Sequence, residues 1–514
     1  MHVNLDQNIP DFLRAHTVHV YGGTGAEGSA IITWLRSIDH EHIIAHDFSP
    51  TIDDLLIEWR RVHEGASDED ERQFKILCSD SNIRWQLGLD YATPPGEHDI
   101  FFVTQSWFRY GANDFLKVYF AATNRAVLPE YLDRVWTLTR LYFALFKGTL
   151  IAVTGSDGKT TTTRMIGSIM SVHAAEKNVV CIETGNDRAH AQSISAIAAC
   201  GPRDFLVLEI SDRQLSCGFQ LTPDIAVVTN VTPNKHMDDY GGFDAYKNIK
   251  GNLLRFQSKQ HHAILNADDE TTVDALISIG AAARAWVSTV RAPEEGVWCD
   301  GKNFIRVRRG GLQQNLMSVA DLSVVGKHNW YNAAEALLAT EQAGVSPETA
   351  TRALKTFAGV PHRLQQIRRW KRLIFVEDSS GGNPANIPVT IQTFSAQPLV
   401  LIVGGYRNNL MIDEIISIIH ALDNHSSVVA LLLIGQVAPR LKLLLDEYCE
   451  NFRATHIVHD LPGAFAWITE HRESLTASQE VVVCMTPGFE SFDQYKDYRA
   501  RAEHFIQLVN DLSA

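Results

Sequence analysis

The chain has 514 residues, 45% of them hydrophobic and 21% charged, the balance of a globular protein too long for one core. Its formal net charge is −14, and with no Lys/Arg-rich run it makes a poor partner for nucleic acid, whose phosphates attract basic surfaces. Seven scattered cysteines without a CxxC pair argue against a zinc ribbon or disulfide framework and suit a reducing cytoplasm.

The opening MHVNLDQNIPDFLRAH carries acids and a proline where a signal peptide would have a basic end and an apolar run. No segment approaches the ~20 apolar residues of a membrane span. Short β-branched runs then alternate with helical stretches: 17–21, 43–47, 100–103, 150–154, 179–183, 205–210, 225–229, 373–377, 399–403, 428–434 and 480–485. Such alternation predicts α/β architecture, with parallel sheets covered by helices on both faces. The polar stretch 63–73 reads as an exposed loop or a charged helix end. Boundaries fall near Lys147-Gly148 and near Gly359-Val360-Pro361, giving domains over 1–148, 149–359 and 360–514.

In the first of these, VHVYGGTGAEGSAIITWL (18–35) reads as strand, Gly-rich turn (Gly22, Gly23, Gly25, Gly28) and helix, and the next strand ends in Asp47. Alone this would suggest NAD, but the spacing fits the dinucleotide fingerprint loosely. The sharper motif is LIAVTGSDGKTTTTRMIG (150–167), a buried strand, a turn over Gly155, Ser156, Asp157 and Gly158, then Lys159, Thr160 and Thr161 opening a helix. Glycines let backbone N–H groups converge on phosphate, and the helix N-terminus adds positive potential. Lys159 would reach the β- and γ-phosphates of ATP, and the Thr160 hydroxyl would ligate Mg²⁺. The full Walker spacing asks for glycine at 153, where Val153 stands. A dehydrogenase reading leaves this loop unexplained.

Downstream, FLVLEISDRQL (205–215) ends a strand at Glu209, and IAVVTNVTPNKHMDDYGGFDAYKNIKGNLL (225–254) carries His236, Tyr246 and Lys250. SVVGKHNWYNAAEALLA (323–339), AGVPHRLQ (358–365), IFVEDSSGGNP (374–384) and VVVCMTPGFESFDQYKDYRARAEHF (481–505) follow. In this order the segments resemble the Mur ligase family, most closely its glutamate-adding branch. The resemblance implies three domains: a Rossmann-like N-terminal domain, a central phosphate-loop domain built on a parallel sheet, and a Rossmann-like C-terminal domain.

It also implies an ATP-dependent amide-forming ligase of peptidoglycan precursor synthesis, acting through an acyl phosphate. Glu209 and His236 would hold two Mg²⁺ ions with Thr160 and a carbamylated Lys250. Asn329 and Asn332 would lie by the nucleotide, Arg363 would contact the γ-phosphate and Asp378 the ribose. Gly23, Thr24, Asp47, Asn186 and Ser211 would serve the UDP-linked muramoyl substrate. Arg407, Ser491 and Tyr498 would hold the free amino acid, expected to be glutamate. The implied protein is a cytoplasmic monomer.

Folate-polyglutamating relatives lack the front domain that here precedes the loop, and the length of that domain implies an insertion around 60–145. A dead ligase kept as a nucleotide-binding regulator would not need Lys159, Glu209, His236, Lys250 and Asp378 together. Four departures from the family pattern stand out. Lys235 replaces the usual acid before His236, and VTQSWF (103–108) stands where Ser-Pro-Gly is usual. The chain ends its pattern on Arg501-Ala502 instead of Arg-Gly, and Asp378-Ser379-Ser380-Gly381-Gly382-Asn383 lacks the usual lysine. Arg407, in GGYRNN, is the cation expected to replace it, although a planar guanidinium is no equivalent of an ammonium. An L-glutamate-adding variant is therefore a second expectation.

Overall fold

Twenty strands in three sheets carry the protein, seen in a computed structural model that describes residues 8–63, 66–122, 124–186, 194–233, 235–324, 326–379 and 383–513. The first sheet contains β1 (Val18–Tyr21), β2 (Ile43–Asp47), β3 (Ile83–Leu87), β4 (Ile100–Phe102) and β5 (Val135–Trp136). They are ordered β3-β2-β1-β4-β5 and all parallel, the order of a doubly wound nucleotide-binding sheet short of its sixth strand.

The second sheet runs from β6 (Thr149–Thr154) through β7 (Cys181–Gly185), β8 (Phe205–Glu209), β9 (Ile225–Val228), β10 (His262–Asn266) and β11 (Ala283–Ser288). It continues with β12 (Gly296–Cys299), β13 (Asn303–Val307) and β14 (Gln313–Ser318). Its order is β14-β13-β12-β11-β10-β9-β6-β8-β7, parallel except for the antiparallel β12–β13–β14 extension. The third sheet comprises β15 (Gln365–Trp370), β16 (Leu373–Glu377), β17 (Leu399–Gly404), β18 (Val428–Ile434), β19 (Thr455–His459) and β20 (Val481–Gly488). Here the order is β15-β16-β20-β17-β18-β19, with only β15 antiparallel.

Two compact units result, Met1–Asp321 with Trp330–Lys355, and Leu322–Asn329 with Thr356–Ala514. In the first unit one apolar core continues from Ile9 to Ala282 and joins the first two sheets. In the second, Leu399, Leu401 and Val403 face one core while Val400 and Ile402 face another. Strands buried on both faces read as unbroken apolar runs, which is why β16, β17, β18 and β20 are visible in the sequence.

All eleven expected strands are present, each starting within two residues of its predicted position. The nine that sequence reading missed include β14 (QQNLMS) and β15 (QQIRRW), edge strands whose partly exposed faces break the apolar run. The polar stretch 63–73 leads into a helix, Asp68–Ser79, because Ser67 and Asp70 form a reciprocal capping box. Among the described residues no helix is long and apolar enough to cross a membrane.

Candidate active site

Parallel strands put their carboxyl ends on one edge of a sheet, and loops leaving that edge converge. In the second sheet β6 ends there at Thr154, β7 at Gly185 and β8 at Glu209. Beyond β6 the chain turns through Gly155 (φ 150°) and Gly158 (φ 82°) before the helix Lys159–Lys177. Both turns need glycine. A Cβ at 155 would lie 2.0 Å from Thr229 Oγ1, and one at 158 would lie 2.6 Å from Asn332 Oδ1.

Asn230 braces the loop, its carbonyl accepting from Ser156 N and its side-chain oxygen from Asp157 N, both at 2.9 Å. Lys159 folds back, its Nζ donating to the carbonyls of Gly155 (2.9 Å) and Ser156 (2.7 Å). The N–H groups of the first helical turn, including those of Thr160 and Thr161, have no intrahelical acceptor.

Lys250, on the helix Phe243–Arg255, is fully buried beneath this loop. Its Nζ donates to Gly155 O (2.8 Å) and Thr154 Oγ1 (3.2 Å) and lies 3.8 Å from Asp212 Oδ1. Burial, reinforced by the charge of Lys159, pulls its pKa down to about 7. Asp212 also meets His236 Nδ1 at 3.3 Å and accepts from Tyr240 OH at 2.8 Å. Burial opposes its ionisation, but His236, Lys250 and Tyr240 together hold it below the usual carboxylate range.

Glu209 is 2% exposed. Its Oε1 accepts from Asn186 Nδ2 at 3.0 Å, while Oε2 has no hydrogen-bond partner among the described residues. A buried, half-unpartnered carboxylate oxygen beside a glycine cradle fits phosphate with a hard cation. No group of three or more His, Cys, Asp or Glu side chains is spaced to hold a metal ion among the described residues. Thr160, Glu209 and His236 would thus leave positions to phosphate oxygens and water, the usual manner of Mg²⁺ binding. The side chain of Lys235 lies outside the described residues.

Behind the loop, Thr162 Oγ1 reaches Asn332 Oδ1 (3.2 Å) and Glu335 Oε2 (3.0 Å). Glu335 is fully buried, and burial pushes its pKa up to about 8. Asn329 is buried in the first turn of the helix His328–Gln342, its N–H donating to Gly326 O at 2.9 Å.

At the first sheet Gly28 allows close helix packing, since a Cβ there would lie 2.0 Å from Gly22 O. A Cβ at Gly23 would meet Trp85 at 2.7 Å. Asp47 was expected to face substrate. Its Oδ2 instead accepts from Thr24 N (3.0 Å) and Oγ1 (2.6 Å), and its Oδ1 from Ser49 N (3.1 Å) and Oγ (2.9 Å). Four donors leave Asp47 fastening the end of β2 to the Gly-rich turn. The VTQSWF segment contributes Gln105, whose N–H donates to Glu27 Oε2 at 2.8 Å while its Oε1 accepts from Ser211 Oγ at 3.0 Å. Burial lifts the Glu27 pKa to about 7.

In the second unit Asp378, 8% exposed, accepts from Leu364 N (3.2 Å), Thr486 Oγ1 (3.2 Å) and Thr390 Oγ1 (3.4 Å). Burial raises its pKa to about 6. Arg363 is exposed and stands between His362 (φ 64°) and Leu364 (φ 42°), both left-handed. His362 Nδ1 pairs with buried Glu377 at 2.9 Å. Its ring stands perpendicular to that of Tyr498, with centroids 6.0 Å apart. Ser491 is buried. The expectation that Arg407 is a spare cation is corrected, because its guanidinium pairs with Glu414 within the same loop. Ser380, Gly381 and Gly382 lie outside the described residues.

Sequence reading missed Asp212, Gln105 and Glu335. Asp212 and Glu335 are polar side chains that the topology buries, and Gln105 is half-buried against Ser211; the sequence alone displays none of this.

Residues 153–340 match the Mur ligase middle domain. The chain is 30% identical over 375 residues to the UDP-N-acetylmuramoylalanine–D-glutamate ligase of Caldanaerobacter subterraneus subsp. tengcongensis, covering 72% of this chain and 77% of that protein. It is 28% identical over 446 residues to the protein of the same name from Acetivibrio thermocellus, covering 86% and 88%. The crystal structure of UDP-N-acetylmuramate-alanine ligase MurC from Thermotoga maritima shares the fold, with a TM-score of 0.54 and 15% identity over 97% of this chain and all of that one.

A parallel sheet presenting a GKT loop, with a buried lysine and carboxylate at its strand ends, is the framework of an ATP-dependent ligase. The chain belongs to the Mur ligase family.

Proposed function

We propose that the protein joins glutamate to UDP-N-acetylmuramoyl-L-alanine, using ATP and two Mg²⁺ ions and passing through an acyl phosphate, in peptidoglycan precursor synthesis. The observation that carries this reading is the convergence of Lys159, Lys250 and Thr154 on the carbonyl of Gly155 or on one another, with Glu209 ending the next strand. The names of the D-glutamate ligases to which the chain is similar support the choice of substrates.

In this reading the loop amides and Lys159 hold the triphosphate, and the substrate carboxylate attacks the γ-phosphorus while ADP leaves. Such transfers depend on positioning and on neutralising charge spread over the phosphoryl oxygens. Mg²⁺ would add positive charge there, held by Glu209, Thr160 and His236. Arg363 would serve the γ-phosphate, and Asp378 and Asn329 the nucleoside. The muramoyl substrate would lie by Gly23 and Thr24, reaching toward Asn186 and Ser211. The amine of the incoming amino acid then attacks the acyl carbon, and phosphate departs from the tetrahedral intermediate.

A second reading keeps the chemistry and changes the amino acid to L-glutamate or another acceptor. It is favoured by the loss of the family lysine after Asp378 and by the capture of Arg407 by Glu414. Phosphate release measured with ATP, UDP-N-acetylmuramoyl-L-alanine and a panel of D- and L-amino acids separates the two. Release with D-glutamate alone supports the first. Release with no member of the panel defeats both.

A further inference from the structure

Arg501 is the fourth residue of the helix Tyr498–Asp511, yet it is 1% exposed. Among the described residues no carboxylate forms an ion pair with it. Its Nη2 donates to Phe489 O at 3.0 Å, its Nη1 reaches Gly404 O and Glu490 O at 3.4 Å each, and its Nε is unpartnered. Asp493 and Glu377 act on it only at longer range, and burying a guanidinium with no carboxylate in contact is costly, a cost that its place in the fold must offset.

The three carbonyls belong to two loops. Gly404 ends β17 and leads into Gly405-Tyr406-Arg407, whereas Phe489 and Glu490 leave β20 and lead into Ser491. The loops are stitched by Tyr406 N donating to Glu490 O at 2.7 Å. They approach so closely that a Cβ at Gly405 would lie 2.1 Å from Glu490 O and 3.0 Å from Arg501 Nη1. A third loop, after β18, joins them through Gln436 N to Asp493 Oδ2 (2.7 Å) and Val437 N to Gly405 O (2.9 Å). All three leave the carboxyl edge of a parallel sheet, where α/β folds place their ligands.

We propose that Arg501 is a positioning residue for the amino-acid acceptor, a buried cation that holds the loops after β17 and β20 at the spacing from which Ser491 and its neighbours grip that substrate. The inference rests on the reading that this edge receives the amino acid. Carbonyl dipoles aimed at one fixed charge set loop geometry without presenting that charge to the ligand. A merely packed side chain would do neither.

Arg501→Gln, Arg501→Lys and Gly405→Ala, made in the full chain, test it by steady-state kinetics and hydrogen exchange. Expected in Arg501→Gln are a tenfold or greater rise in KM for the amino acid, KM for ATP within twofold of wild type, and faster amide exchange confined to 404–407 and 488–491. Arg501→Lys should fall between, since an ammonium places its three donors on one nitrogen and lacks the fork whose two Nη atoms reach separate carbonyls. Should Arg501→Gln fail to fold, Gly405→Ala, which prises the same loops apart, should reproduce the pattern. Equal changes in both KM values, or loops that exchange at the wild-type rate, overturn the proposal. A wild-type protein that turns over no amino acid defeats the functional reading instead. Loop exchange then decides alone: faster exchange in the variants upholds the clamp, and unchanged exchange removes it.

Discussion

The loop end of the second sheet and the corresponding end of the third are built on opposite principles. At the first, charge is concentrated and left partly unanswered: Lys159 and Lys250 converge on Gly155 O, and one oxygen of Glu209 has no partner among the described residues. At the second, charges are answered internally. Asp378 is held by two threonines and a backbone amide, Arg407 by Glu414 and Arg501 by carbonyls. Phosphate chemistry needs a preorganised field that does not relax when charge develops. In the proposed reading this second end receives a small amino acid, whose recognition needs shape, and backbone loops tied to one another would supply it.

The sharpest way to break this comparison is Lys159→Ala. If the loop end supplies the electrostatics, ATP-dependent ligation should fall by about 10³-fold, the scale on which loss of one preorganised group acts, with the circular dichroism spectrum unchanged. Ligation at the wild-type rate would dissolve the distinction.

Lys250→Ala comes next, with a loss of about 10²-fold. If Lys250 is carbamylated, short carboxylates or bicarbonate should restore part of the activity, and intact mass under bicarbonate should show the adduct. A lysine whose pKa is near 7 is largely free amine above neutrality, so modification and activity should both rise as pH passes through 7.

Glu335 sharpens the comparison through stability. Its folded pKa of about 8 stands above its ordinary 4.5, so between these values the folded state binds the extra proton. Stability is then full below pH 4.5 and is lost as pH rises toward 8. Glu335→Gln, neutral throughout, should match wild type near pH 4.5 and exceed it by on the order of 4 kcal/mol near pH 8.5. Parallel pH profiles of the unfolding midpoint would contradict this.

Smallest is Arg407→Ala. A partly exposed ion pair contributes about 0–1 kcal/mol, so KM for the amino acid should change by less than about fivefold. A larger rise would mean that substrate displaces Glu414 and that the amino-acid end does present a free cation.

The two ends also differed in how far they could be read from the sequence. The turn after β6 is set by backbone geometry, so its requirements appear as residue types at fixed spacing: glycine where a Cβ would collide, lysine and threonine where a helix begins. Gly155, Gly158 and Lys159 were legible for that reason. So were β16–β18 and β20, whose burial on two faces leaves an unbroken apolar signature. Asp212, which reaches both His236 and Lys250, was not, because one Asp in SDRQL looks like any helix-capping acid until the fold buries it. Nor was the diversion of Asp47 to Thr24 and Ser49, or of Arg407 to Glu414. A partner seven residues away obeys no fixed motif.

The strand order of the third sheet bears on how the protein is made. β20, the last strand among the described residues, lies between β16 and β17, strands that are synthesised about a hundred residues earlier on a domain-sized stretch of chain. Until residues 481–488 leave the ribosome, those two strands have no central partner, and both present bare hydrogen-bonding edges flanked by apolar side chains. Closure of this sheet must therefore wait until residues 481–488 are available to pair with both strands. A chain cut before β20 by premature termination or proteolysis would keep the Gly155–Lys159 loop but carry an unclosed third sheet, a species prone to aggregate and open to chaperone capture.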